Sequence, residues 1–179
     1  MVISKTKLAT LIVLFASLIA LAQPKPRIDF DRLLSLFPNL PWDFEIRYVV
    51  QEGSSTDMLR IYYDGRADVV RWRPDYAGSL ASVCHGHLDD KTLREFLELL
   101  RDKKFNDLPS DADSPVAVAL TGDATVSVRL GRTIVRKTDR HQRENSSLRE
   151  IQAVLEQLAA GLVADPKSTC DMESVPAKP

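Results

Sequence analysis

Two histidines and a cysteine stand together in Cys84-His85-Gly86-His87, within a 179-residue chain that has only three histidines and two cysteines. On an extended backbone, residues i and i+2 project from the same face, so His85 and His87 can chelate one metal together. Zinc takes imidazole nitrogens at about 2.0–2.1 Å and needs a third and usually a fourth ligand. His141, Asp89 and Asp90 are the candidates for those places. Cys84 points to the other face of a regular strand, and Gly86 suggests a bend that weakens the geometry. No second ligand pair at diagnostic spacing accompanies the cluster, so the balance favours a strand end running into a helix, with zinc as the alternative.

The second run able to do chemistry is "RLGRTIVRKTDRHQR", where Arg129, Arg132, Arg136, Lys137, Arg140 and Arg143 crowd against the single acid Asp139. Clustered guanidinium groups hold carboxylates and sulfates in bidentate fashion, which points to an anionic glycan or another protein of the cell envelope as partner. The run contains no aromatic residue on which a base could stack, and nucleic acid is not expected. Ser79 and Ser82 lie close to His85 in sequence, but Gly-x-Ser-x-Gly is absent. Phosphate loops, dinucleotide fingerprints and calcium loops are absent too, and no cofactor is expected. Trp42, Trp72, Tyr62, Tyr63 and Tyr76 cluster in the first half. If Tyr62 and Trp72 share the outer face of a sheet, they make a platform for a sugar ring or a partner's side chain.

The bulk of the chain says where these residues would work. Lys5 and Lys7 precede an apolar run of 14 residues, Leu8 to Leu21, followed by Ala20-Leu21-Ala22 and then Pro24 and Pro26. This is the layout of a cleavable export signal over residues 1–22, since a membrane-spanning helix takes about 20 apolar residues. The alternative is an uncleaved segment that anchors the chain to a membrane. Cleavage takes the charge from 24 basic against 25 acidic groups to 22 against 25, a net −3. That balance makes no global case for an anionic membrane or nucleic acid. Export to a periplasmic or extracellular, oxidising space lets Cys84 and Cys170 form one disulfide.

The elements that must position these residues follow from periodicity. Asp31 to Phe37 reads as a short helix stopped by Pro38, within a lead spanning residues 23–41. In "FEIRYVVQ", Phe44, Ile46, Tyr48 and Val50 alternate with Glu45, Arg47, Val49 and Gln51, the pattern of a half-buried strand. "DMLRIYYDGRADVVRWRP" reads as a hairpin turned at Asp64-Gly65 and ended by Pro74, with a weaker strand over Ser79 to His85. Asp89 or Asp90 caps a helix whose stripe is Leu93, Phe96, Leu97 and Leu100. After the loop "NDLPSDADSP", the stretches "VAVAL", "TVSVRL" and "TIVRKT" read as three more strands. A second helix follows from Ser147, with a Ser147–Glu150 capping box, a stripe through Leu148, Ile151, Val154, Leu155, Leu158 and Leu162, and an end at Gly161 to Pro166. Asn145-Ser146-Ser147 matches a glycosylation sequon at the same place.

These elements compose one α+β domain over residues 42–163: an antiparallel sheet with two helices on one face, in two layers. The order suggests an internal repeat of a strand-strand-strand-helix unit. Residues 164–179 lack periodicity and are expected to be a flexible tail. The expected function is an exported non-enzymatic binding or scaffolding module acting through a sheet face or the arginine run. An inhibitor or assembly partner of another envelope protein is one form of it. The alternative is a small metal-dependent enzyme or metal-binding protein using His85 and His87.

Overall fold

The structure, a computed structural model, describes residues 25–75, 78–110, 122–139 and 146–175. The proposed signal at residues 1–22 therefore lies outside the described residues, as do Tyr76, "VAVAL", Arg140, His141, Arg143 and Asn145.

The expected α+β architecture is present as one antiparallel sheet of seven strands with helices against it. In chain order the elements are α1 (Phe30–Leu36), β1 (Phe44–Glu52), β2 (Ser55–Tyr62), β3 (Arg66–Asp75) and β4 (Gly78–His87). There follow α2 (Asp90–Asp102), a short 3-10 turn (Phe105–Asp107), β5 (Asp123–Leu130), β6 (Thr133–Asp139), α3 (Ser146–Ala164) and β7 (Thr169–Val175). The spatial order is β6-β5-β1-β2-β3-β4-β7. The first four strands form a meander; α2 leads back to the free edge of β1, and α3 leads to the free edge of β4.

Side-chain alternation decides what each face does. Phe44, Ile46 and Tyr48 of β1, Leu59 and Ile61 of β2, Ala67 and Val69 of β3, and Val126 and Val128 of β5 are all buried on the inner face. Leu93, Phe96, Leu97 and Leu100 of α2 and Leu148, Ile151, Leu155 and Leu162 of α3 complete the same core. All of these belong to the two stripes that the sequence periodicity marks; Val154 and Leu158 of the second stripe are only partly buried against the core. Phe30 and Leu33 of α1 join this core, and Phe30 meets Phe105 edge to face with ring centroids 6.3 Å apart.

Several expectations need correction. The first strand group holds four strands rather than three, because β4 is a full strand of ten residues. Pro74 does not end β3, which runs on to Asp75. The β2 ladder stops at Thr56↔Trp72, so beyond that pair β3 is bonded on one side only and a residue without an N–H fits. Helix α3 starts at Ser146, and Glu150 pairs with Lys103 at the end of α2 instead of reaching back to a cap. Gly161 is inside this helix, which continues to Ala164. The tail expectation is overturned at Thr169–Val175, which pairs with β4 along its length. A disulfide joins Cys84 to Cys170, which sit directly opposite each other in that ladder.

Candidate functional site

The outer face of the sheet carries its polar groups in two adjacent rows that cross the strands. Register alone produces the first: Arg136 of β6, Ser127 of β5, Arg47 of β1, Arg60 of β2, Asp68 of β3, His85 of β4 and Thr169 of β7 are successive lateral partners. In the second row, Ile134, Arg129, Glu45 and Tyr62 are lateral partners, and Arg66 pairs with His87 further along. Each residue occupies a position that alternation turns away from the core.

Glu45 is the hub. Its side chain is 7% exposed, and three guanidinium groups converge on it: Arg129 at 2.5 Å, Arg47 at 3.0 Å and Arg60 at 3.1 Å. A lone buried carboxylate would be costly, and here the surrounding arginines neutralise it more than once over. Arg60 also donates to the Tyr62 hydroxyl at 3.3 Å, and Tyr62 donates to Asp68 Oδ2 at 2.8 Å. Burial, with the Asp68 carboxylate adding to it, pushes the Tyr62 phenol above its ordinary range, so it stays a neutral donor. The other Asp68 oxygen, Oδ1, takes His85 Nδ1 at 2.8 Å. A continuous polar chain thus runs from β5 to β4. Across the two rows, Arg47, Arg60, Arg66, Arg129 and Arg136 face the acids Glu45 and Asp68, and Arg66 is also held by Asp64 at 2.7 Å, which leaves an excess of two positive charges.

Exposed apolar side chains mark the same end of the sheet. Trp42 is 80% exposed just before β1, and Ile134, next to Arg129, is 45% exposed. The carboxylate of Asp43, between Trp42 and β1, lies against the β5–β6 turn, 3.3 Å from where a Cβ on Gly131 would sit. That turn carries Arg132. Arginine, tryptophan and an aliphatic edge on one surface is the composition of a protein-binding patch.

The expected site residues are distributed unevenly over this geometry. Arg129 and Arg136 belong to the band, and Arg132 lies at its edge. Lys137 faces inward, where its ammonium donates to the carbonyls of Asn106 at 2.9 Å and Leu108 at 2.5 Å, so it ties down the 3-10 turn instead of facing solvent. His85 and His87 share the outer face as the i, i+2 rule requires, but they do different work. His85 is oriented by Asp68, whereas the His87 ring packs over the β2–β3 turn, 2.9 Å from a Cβ built on Gly65. Among the described residues no three His, Cys, Asp or Glu side chains gather as a metal site. Gly86 makes no bend; it lets α3 approach, since a Cβ there would lie 2.6 Å from Leu162 Cδ2 and 2.8 Å from Ser168 Oγ. Cys84 is committed to its disulfide, and Ser82 takes the face opposite His85. Tyr62 and Trp72 share the outer face without forming one platform. Trp72 pairs with Thr56, six residues along β2 from Tyr62, roughly 20 Å away at the rise of a strand.

Asp89 caps α2 through a 2.7 Å bond from the Thr92 N–H, which holds its carboxyl below the usual carboxylate range. No helix among the described residues is long and apolar enough to cross a membrane. No family model matches the chain, and no curated protein matches it either.

Proposed function

We propose that this protein is an exported, non-enzymatic binding module that uses the outer face of its sheet to hold an acidic surface of another envelope protein. The observation that carries the reading is the excess of arginines over acids in the band, bordered by exposed Trp42 and Ile134. Guanidinium groups pre-aimed by Glu45 lose little freedom when they meet a partner's carboxylates. A protein is favoured over a glycan because the Tyr62 ring is already occupied, with Arg60 at 6.0 Å and Arg66 at 5.6 Å from its centroid. Export rests on the apolar N-terminal run, and the Cys84–Cys170 bond is compatible with it.

The test is a photo-crosslinking amino acid placed at Ile134 in the full-length, exported protein. The expected result is a discrete adduct with one protein of acidic surface, lost when Arg47→Glu and Arg129→Glu are combined. An adduct indifferent to that charge reversal, or recovery of glycan alone, defeats the reading. A second reading keeps the metal alternative, because the Asp68–His85 bond orients an imidazole as metal sites do and leaves Nε2 for a ligand. Calorimetric titration with zinc tests it: binding that His87→Ala does not weaken would eliminate joint chelation.

A further inference from the structure

The inner face holds an opening that the outer-face reading does not use. A cleft of about 390 Å³ lies between α3 and strands β1 to β3. That volume lies in the range of small-molecule sites. The floor is apolar, made by Tyr48, Val50, Leu59 and Val69, and the helix side offers Ala159 and Ala160 beside Glu156. Larger side chains at those two positions would close the slot.

The charged groups around it are unequally satisfied. Asp57 is gripped by Arg73 through two bonds, at 2.6 and 3.1 Å. Glu156 accepts the Tyr48 hydroxyl at 2.8 Å; burial first, and this carboxylate second, push that phenol far above its ordinary value. Arg71 differs: it lines the cleft, and it has no hydrogen bond or ion pair among the described residues. Glu52 lines the cleft together with Asp57 and Glu156, and these three carboxylates disfavour a second negative charge on anything that enters.

We propose that this cleft binds a monoanionic amphiphile, its carboxylate paired with Arg71 and its apolar body laid over Val50, Leu59 and Val69 beneath Ala159 and Ala160. The guanidinium supplies the paired donors that a carboxylate matches, and the floor removes the tail from water. The site stands on the face opposite the basic band and is independent of it.

Calorimetric titration of the oxidised, full-length protein with decanoate, below its micelle-forming concentration, tests the assignment. One saturable site is expected, weakened at least about tenfold in Arg71→Gln by loss of the charged pair. Ala159→Leu, checked for native melting behaviour, should abolish binding by filling the slot, and decylammonium should not bind. The proposal is overturned by no saturable uptake of decanoate, by undiminished affinity in Arg71→Gln, or by decylammonium binding equally well. Arg71 is exposed, so its substitution keeps the test valid even if Ala159→Leu fails to fold. The double variant Arg47→Glu, Arg129→Glu should leave decanoate binding intact. If it does not, the carboxylate sits on the outer band and the cleft assignment falls, while the band reading stands.

Discussion

The two faces of the sheet are built from the same strands and obey opposite rules. On the inner face, Ile46, Ile61 and Val128 are completely buried and lie side by side across β2, β1 and β5. One position along each strand, on the outer face, stand Glu45, Arg60 and Arg129, tied by ion pairs. The inner row is held by exclusion of water and tolerates no change of volume. The outer row is held by charge and geometry, contributes less stability, and is arranged in a way the fold does not require. A face that could have been made of threonine and lysine at random instead concentrates five arginines around two acids. That organisation is the observation on which the proposed binding function rests.

The comparison can be broken or sharpened by experiment. The largest effect should come from opening the Cys84–Cys170 bond, whose sequence separation is 86 residues. The chain-entropy account credits such a closure with about 4–5 kcal/mol, to be measured as the loss in unfolding free energy on Cys170→Ser. Next, Ile46→Ala should cost about 2–5 kcal/mol by denaturant titration, the usual range for a fully buried aliphatic residue. Its outer neighbour Glu45→Gln should cost about 1–2 kcal/mol, because the carboxylate is buried but its arginines are part-exposed and screened. If the two substitutions cost the same, the outer network is a second core and the functional argument weakens. Smaller still, Val70→Thr on the outer face should stay within about 0.5 kcal/mol; a loss near that of Ile46→Ala would mean that this face is covered.

The smallest effect concerns acid. The Asp89 and Asp107 carboxyls are both held below their ordinary range, by the Thr92 N–H and the Arg27 guanidinium respectively. A depressed carboxyl contributes stability above its unfolded-state pKa and loses it as pH falls through the folded value. Melting temperature should therefore decline below about pH 4. Asp89→Asn and Asp107→Asn together should flatten that decline, and an unchanged acid limb would show that these two carboxyls do not set it.

How much of this was legible in the sequence depends on whether a feature is local. The alternation of Phe44 to Gln51 and the stripe Leu93, Phe96, Leu97, Leu100 are local, and both elements are where the periodicity puts them. The disulfide could be inferred from the count of cysteines and the expected export. The basic band could not be read, because Arg47, Arg60, Asp68 and His85 belong to four strands and become neighbours only through register. Proximity in sequence misled at Lys137, one residue from Arg136 and on the opposite face. A signal was present in Cys170-Asp171-Met172-Glu173, where apolar and acidic residues alternate, but it is too short to stand out at a chain end. Arg71 gave no signal, since its place beside Ala159 and Ala160 depends on how α3 lies across the sheet.

The strand order has a consequence for how the chain is made. The meander β1 to β4 leaves the ribosome first and lies in the middle of the sheet, with both of its flanks unpaired. Strand β5 later closes one flank and β7, last of all, the other. Until Cys170 emerges, Cys84 is a thiol without its partner, on the very strand whose edge is still bare. If the chain is exported as an unfolded thread, the same order repeats on the oxidising side, where β4 and Cys84 again wait for β7 and Cys170.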